Sequence, residues 1–421
     1  MYSRFQNNKI KNLEFTDIYK LVEPIKKLED GKWLPDIYSI GKTLKEYAGL
    51  PSDYEIKAFI EHAAQLSDYT EHGFRVHPSL PSIVPSQFRV SVIEGVTGNN
   101  GAYAVGPYIA YAKSALSKEK LESERERLGR NLLVFPAHSI RGLMASYDID
   151  MFCEKIKEIA KEYDSVRICL YWKDVLLDTA DKYKKHGFEV VTAGHYYDPM
   201  FMPRLKSIIE TSTMTMSNKL GTYVGYSIYL NKPHYLLKSN VVMDKISSDG
   251  KELSEIEYNI SRNMRNRLKN PNIDLIFELL SKNQEIITED QYNHLNKYWG
   301  FDQLKTPQQL RKLLLEIEGE YQIKTNDIKL LKNNIKDKNK VIQRRDDLIR
   351  TKDEVITEKN NIIKGRDDTI HEKNNIIKSR DDTIHEKNNI IRSREDTINK
   401  IINSNSWKMT GHVRKIFSWI R

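Results

Sequence analysis

The run MSNKLGTYVG, Met216 to Gly225, leaves an apolar segment through Ser217, Asn218 and Lys219 and resumes with Gly221 and Thr222. A loop of hydroxyl and amide groups that opens a helix offers free backbone N–H groups, and such a terminus favours phosphate or another anion. Ser, Asn and Thr before a helix also act as ordinary caps. Three further loops have a similar make-up. PAHSIRG carries His138, Ser139 and Arg141, VRICLYW is followed by Lys173 and Asp174, and GHYYD carries His195 and Asp198. Gathered together, such groups would grip a charged leaving group and move protons. Any one of these histidines alone serves as readily in a structural role.

What must gather them is a sheet. NLLVFPA (131–137), VRICLYW (166–172), FEVVTAG (188–194), TMTMS (213–217) and PHYLL (233–237) have the apolar make-up of strands. Between them DIDMFCEKIKEIAKEY (148–163), DVLLDTADKYKKHG (174–187), MFMPRLKSIIET (200–211) and a segment from about Gly221 have helical patterns. Strand and helix in alternation predict a parallel sheet covered on both faces. Ligands of such sheets bind at the carboxyl ends of the strands, where all four loops fall. Gly221 and Gly225, four apart, share a helix face that can approach the sheet closely.

Charge narrows the class. The chain of 421 residues carries a net charge of +9, but residues 311–421 hold 26 Lys and Arg against 18 Asp and Glu, nearly the whole excess. The remainder is almost neutral and has no basic cleft interleaved with aromatics, which argues against a nucleic-acid partner. The sequence shows no secretory h-region and no run of 18 apolar residues, so a cytoplasmic location is expected. Cys153 and Cys169 lack metal-ligand spacing and read as small buried hydrophobes.

From Leu314 every seventh residue is apolar, and from Ile328 to Ile398 each is isoleucine. A strict period of seven predicts a supercoiled helix, a homo-oligomeric coiled coil reaching on the order of 130 Å. If the isoleucines are d, the a positions are polar, from Asp346 to Glu395, which restricts register and oligomer number. The tail SNSWKMTGHVRKIFSWIR puts Met409, Val413, Ile416, Phe417 and Ile420 on one helical face, with Lys408, Arg414, Lys415 and Arg421 off it. Such a segment suits the headgroup layer of an anionic inner leaflet.

FPAHS after a strand, the Ser-Asn-x-x-Gly-Thr loop and YLNKPHY resemble the nucleotide-binding domain of GT-B type glycosyltransferases, especially bacterial surface-polysaccharide enzymes, over residues 130–240. The tail's Ser-x-Ser-Trp-Lys-x-Thr resembles an element that closes many lipopolysaccharide and capsule enzymes. The first resemblance implies two facing Rossmann-like domains, the second of which holds a nucleotide-sugar through a loop and helix N-terminus without an obligatory metal. It puts His138 and Ser139 on the phosphate side and Ser217, Asn218, Gly221 and Thr222 against phosphate or sugar; the strand-end loops themselves add Lys173, His195 and Asp198 to the expected donor site. His234 after Pro233 is similar, in reversed order, to the His-Pro pair of bacterial sialyl- and polysialyltransferases.

The first domain would then supply the acceptor side. FIEHAAQ (59–65), FRVSVIEG (88–95) and NGAYAVGPYIAYAKSAL (100–116) read as its strand and helix segments. An acceptor hydroxyl needs a carboxylate or imidazole to take its proton. Glu61 and His62, together at an expected strand end, are the first candidates, and Glu94 is the next. Neighbours on a strand point oppositely, so one of the pair serves. Asp148-Ile-Asp150 has the DxD spacing of metal-dependent transferases, but it opens an expected helix, where Asp is a common cap.

The expected chain is therefore α/β: an acceptor-side domain (1–129), a nucleotide-sugar-binding domain with closing helices (130–310), a coiled coil (311–402) and an amphipathic membrane-surface helix (403–421). Its expected work is transfer of a sugar from a nucleotide-sugar donor to a lipid-linked or polysaccharide acceptor, with no resident cofactor or metal. A non-catalytic scaffold or length-control subunit and a nucleotide-sugar epimerase are the alternatives.

Overall fold

The computed structural model describes residues 14–25, 37–62, 65–66, 80–97, 101–139, 144–244, 271–411 and 414–415. The chain divides into two compact units, Met1–Ile328 and Lys329–Arg421.

The first unit is mixed α/β with two parallel sheets. In the smaller, β1 (Phe59–Ile60), β2 (Ser82–Val84) and β3 (Ala102–Ala104) lie side by side in that order. Helix α1 (Ile40–Tyr47) precedes this sheet and α2 (Gln87–Thr97) runs between β2 and β3. FRVSVIEG thus belongs to a helix, and Glu94 lies on α2. Among the described residues this sheet is three short strands, smaller than the full Rossmann-like domain expected.

The larger sheet has five parallel strands. They are β4 (Asn131–Phe135), β6 (Ser165–Cys169), β7 (Glu189–Val191), β8 (Met214–Ser217) and β9 (His234–Leu236), in spatial order β7-β6-β4-β8-β9. A two-stranded antiparallel ribbon, β5 (Met144–Ser146) with β10 (Val242–Asp244), is separate from it. Leu132, Leu133 and Val134 of the central strand are fully buried, as a strand covered on both faces requires. The crossovers are α3 (Ile149–Ile159), α4 (Trp172–Leu176) with α5 (Thr179–Lys185), α6 (Phe201–Glu210) and α7 (Thr222–Tyr229). One expected helix, 174–187, is broken into α4 and α5. Asp178 between them has φ 56°, the left-handed conformation that Asp tolerates better than most residues. Asp148 caps α3 by accepting the Met151 N–H at 2.8 Å. Asp150 lies 2.7 Å from His186, so both carboxylates of the DxD triplet have structural engagements. Cys153 and Cys169 are buried free thiols, each pushed up to about 12 by burial.

Two helices, α8 (Pro271–Leu280) and α9 (Glu289–Trp299), pack on this unit, the second opened by a reciprocal Thr288–Gln291 capping box. The long helix α10 (Pro307–Asn403) begins there too. Its Leu310, Leu314 and Ile317 are at most 1% exposed. Tyr54 donates to the Leu314 carbonyl at 3.0 Å, and Tyr103 donates to Glu320. The first turns of the expected rod therefore belong to the globular core.

In the second unit the isoleucine row of α10 lies bare, with Ile349, Ile363 and Ile377 more than half exposed. At Asn403 the helix stops. The Ser404 hydroxyl accepts the Trp407 N–H at 3.1 Å and starts α11 (Asn405–Met409). The Arg414 guanidinium packs 3.3 Å from the Trp407 ring centroid. Most of the expected apolar face, Val413, Ile416, Phe417 and Ile420, lies outside the described residues. Among those described, no helix is long and apolar enough to cross a membrane.

Candidate functional site

The strand order of the larger sheet reverses between β4 and β8, because β6 and β7 build outward on one side of β4 and β8 and β9 on the other. Such a switch point parts the two flanking loops and leaves a crevice at the strand ends. The loops that border it are Pro136–Ser139 after β4 and Asn218–Gly221 after β8. They are tied together at the base, where the Ala137 N–H donates to Asn218 Oδ1 at 2.7 Å. The other end of that amide, Nδ2, is buried and has no acceptor among the described residues.

The β8 loop is clamped through its backbone. The Lys219 carbonyl accepts the Ser217 hydroxyl at 2.9 Å and the Tyr223 hydroxyl at 2.6 Å. Tyr223 in turn stacks on Phe135 with centroids 4.6 Å apart. A Cβ on Gly221 would come within 2.6 Å of the Tyr223 ring, so glycine is needed for this turn. Gly225 has a different partner from the sheet expected for it: a Cβ there would collide with the Trp299 indole of α9, whose Nε1 donates to the Thr222 carbonyl at 3.1 Å. Close packing of α7 is thus against α9.

With its carbonyl held, Lys219 projects a side chain that meets no carboxylate among the described residues. Burial lowers its ammonium to about 8. An ammonium withdrawn from water without a counter-ion is unfavourable, and an anion beside it relieves the strain. Across the crevice His138 is held neutral: burial, then the charge of Lys219, lowers it to about 4. The His138 loop is fixed from behind by Asp174 of α4, whose two oxygens each accept the Ser139 N–H at 3.1 Å. Burial pushes that carboxyl up to about 6. The Ser139 hydroxyl accepts the Ala145 N–H at 3.1 Å and so ties the loop to β5.

Aromatic rings continue the site toward the smaller sheet. His138 lies 4.5 Å from the Tyr171 ring, the Tyr171 and Tyr38 hydroxyls are 3.1 Å apart, and Tyr38 lies 5.9 Å from the His62 ring. On the other flank Trp172 contacts His195 at 4.7 Å and stacks on Tyr196 at 5.0 Å. His195 is buried, its Nδ1 accepts the Tyr197 N–H at 3.2 Å, and burial lowers its pKa. Lys173 is partly buried beside Asp174, and burial lowers its ammonium too.

Of the residues singled out from sequence, His62, His138, Ser139, His195, Asn218 and Gly221 are borne on loops at strand ends, and Lys173 and Thr222 stand in the first turns of α4 and α7. Three others turn away. The Glu61 carboxylate is fully buried and chelates Arg89, with Nε to Oε2 at 2.9 Å and Nη2 to Oε1 at 2.6 Å, so a base there would first have to leave its ion pair. Asp198 is spent on Arg204 at 2.6 Å and on the Met200 N–H at 2.8 Å. Ser217 is fully buried, and its hydroxyl also lies 2.9 Å from His234 Nε2. His234 itself is enclosed, with Nδ1 2.8 Å from the Thr215 hydroxyl, and burial lowers it to about 3. It braces β8 from within. Lys219, Tyr223, Asp174, Tyr171 and Tyr38 complete the crevice. The first four sit in or beside segments that sequence already marked, whereas nothing local marks Tyr38.

No protein-family model and no curated protein matches the chain. Among solved structures it is similar to one described as the wall teichoic acid polymerase TagF, at 10% identity and TM-score 0.34, over 65% of this chain and 70% of that one. A second is TarM, at 9% identity and TM-score 0.27, over 66% and 53%. Likenesses this loose leave the functional case to the crevice itself.

Proposed function

We propose that this chain is a glycosyltransferase that takes a sugar from a nucleotide-sugar donor and passes it to a lipid-linked or polysaccharide acceptor in surface-glycan synthesis. The observation that carries the proposal is Lys219, a partly buried ammonium that meets no carboxylate among the described residues, at the switch point of a parallel sheet. Lys219, the unpartnered Asn218 amide and the first N–H groups of α7 form a set of donors for the phosphates of the donor and of the departing nucleotide. Neutral His138 and the Tyr171 ring border the same space. His62 is the proposed acceptor base, since Glu61 is committed to Arg89. The positive charge comes from the chain, so the reading calls for no resident metal.

The motifs of the β8 loop and the tail are what direct the proposal to surface glycans. The tail is proposed to rest on the inner leaflet and α10 to join copies of the chain. Titration of UDP, GDP and CMP into the full chain tests the central point. One of them should bind, and Lys219→Ala should weaken that binding about tenfold to a hundredfold, as expected for a lost charge-assisted contact. Equal affinity in the variant, or no nucleotide bound at all, would reject the assignment. Deleting residues 403–421 should abolish sedimentation with anionic vesicles.

A further inference from the structure

We propose that a second copy of this chain covers the isoleucine row of α10 in parallel and in register, each copy's acidic core positions pairing with the basic residues of the other. This rests on the homo-oligomer proposed above and is independent of what the crevice binds.

The first observation is the bare row: from Ile335 to Ile398 every seventh residue is an isoleucine more than half exposed. Burying such side chains removes apolar surface from water at every layer, so the row is a strong drive to associate. The second is an alternation at the polar a positions of the repeats, from Asn360 to Glu395, upstream of which Lys352 precedes Asp353. Lys stands immediately before Asn360, Asn374 and Asn388, and Arg immediately before Asp367, Asp381 and Glu395. Adjacent residues on a helix do not face each other, so the alternation does not serve the single chain. Indeed Asp367, Asp381 and Glu395 make no ion pair within it, although ion pairs such as Lys340–Asp337 at 3.1 Å form elsewhere on the helix.

A partner helix makes use of it. In a parallel coiled coil the residue before an a position is g, and g borders the a position of the other strand. Arg380 of one copy then flanks Asp381 of the next, where a guanidinium can engage a carboxylate with two parallel hydrogen bonds. Within the repeats the choice of Arg for acid and Lys for amide follows from that chemistry, and at Asp353 the flanking Lys352 supplies the charge as an ammonium. Registration follows from the alternation. With no offset Asn meets Asn, and each amide has both a donor and an acceptor for its twin, while each acid meets its twin between the two flanking Arg side chains that neutralise the pair. An offset of seven residues would set Asn against Asp and Arg beside an uncharged amide. An offset of fourteen restores the pairing in the repeats but sets Val355 against Thr369 and strips two isoleucines from each end. An antiparallel partner would set every acid against an isoleucine.

The test uses full-length Asn374→Cys, because native Cys153 and Cys169 are buried. Oxidation should give a covalent pair for most of the protein. Co-expressed with a size-tagged Asn388→Cys chain, it should still link mainly to itself, because residues fourteen apart are separated by about 21 Å along a helix, beyond disulfide reach. Dominant cross-linking between the two different chains would overturn the register, and sedimentation as a monomer would overturn the association. For the charge pairing, co-expressed Arg380→Asp and Asp381→Arg chains should combine with each other beyond the random share. Random mixing would overturn pairing between copies.

Discussion

Lys219 joins stability and function with opposite signs. Its folded pKa, about 8, lies below the ordinary lysine value, so the folded chain holds this proton less tightly than the unfolded one. The penalty for the buried charge is full below about pH 8 and is relieved as pH rises toward the ordinary value. Lys219→Met should therefore raise the thermal midpoint of the ligand-free protein at pH 7 while removing anion binding, an outcome that melting and calorimetry read separately. In the native protein, anion affinity should be level near pH 7 and fall as pH rises past about 8, where the ammonium is lost. Since the Lys219 carbonyl already holds two hydroxyl donors, the backbone is ordered before an anion arrives, and little further ordering opposes binding. Glu61 lives under a different rule. Removing one member of a fully buried ion pair strands the other, so Glu61→Ala should lose about 3–5 kcal/mol in a urea titration.

At the scale of elements, α7 is set by contacts on two sides, with Tyr223 against Phe135 and Gly225 against Trp299. Gly225→Ala pushes a methyl group into a fully buried indole and should lower stability by about 1–3 kcal/mol, measured by denaturant titration, with weaker nucleotide binding as the helix start shifts. The larger sheet was legible because strands buried on both faces are written as unbroken apolar runs, of which Leu132–Val134 is the plainest. Their loops were legible for the same reason, since each begins where such a run ends. Direction was not. Ser217, Asp198 and Glu61 have the residue types of a binding site, yet their side chains point to His234, Arg204 and Arg89, 17, 6 and 28 residues away in sequence, and no local pattern marks those pairings. Tyr38 had no local signal at all, because it meets Tyr171 across 133 residues of sequence. The break at Asp178 was hidden by a helical pattern of side chains that is indifferent to one left-handed residue.

For the whole molecule, the division at Ile328 and not at the start of the heptads has a measurable meaning. A chain ending at Ile328 should unfold with the same midpoint as the first unit of the full protein. One ending at residue 309 loses Leu310, Leu314 and Ile317 and should be weaker by about 5–9 kcal/mol, from the burial of three aliphatic side chains. Beyond that division the fourteen-residue unit of α10 permits one kind of length change only. Removing residues 371–384 would shorten each copy by about 21 Å and leave every surviving neighbour chemically identical. Losing seven would keep the apolar seam but swap amide layers for acid ones, and losing four would rotate the seam out of alignment. Tandem DNA copies of such a unit are gained and lost as whole units, so natural variants of this gene should differ in reach by discrete graduations, like a ruler cut at its marks.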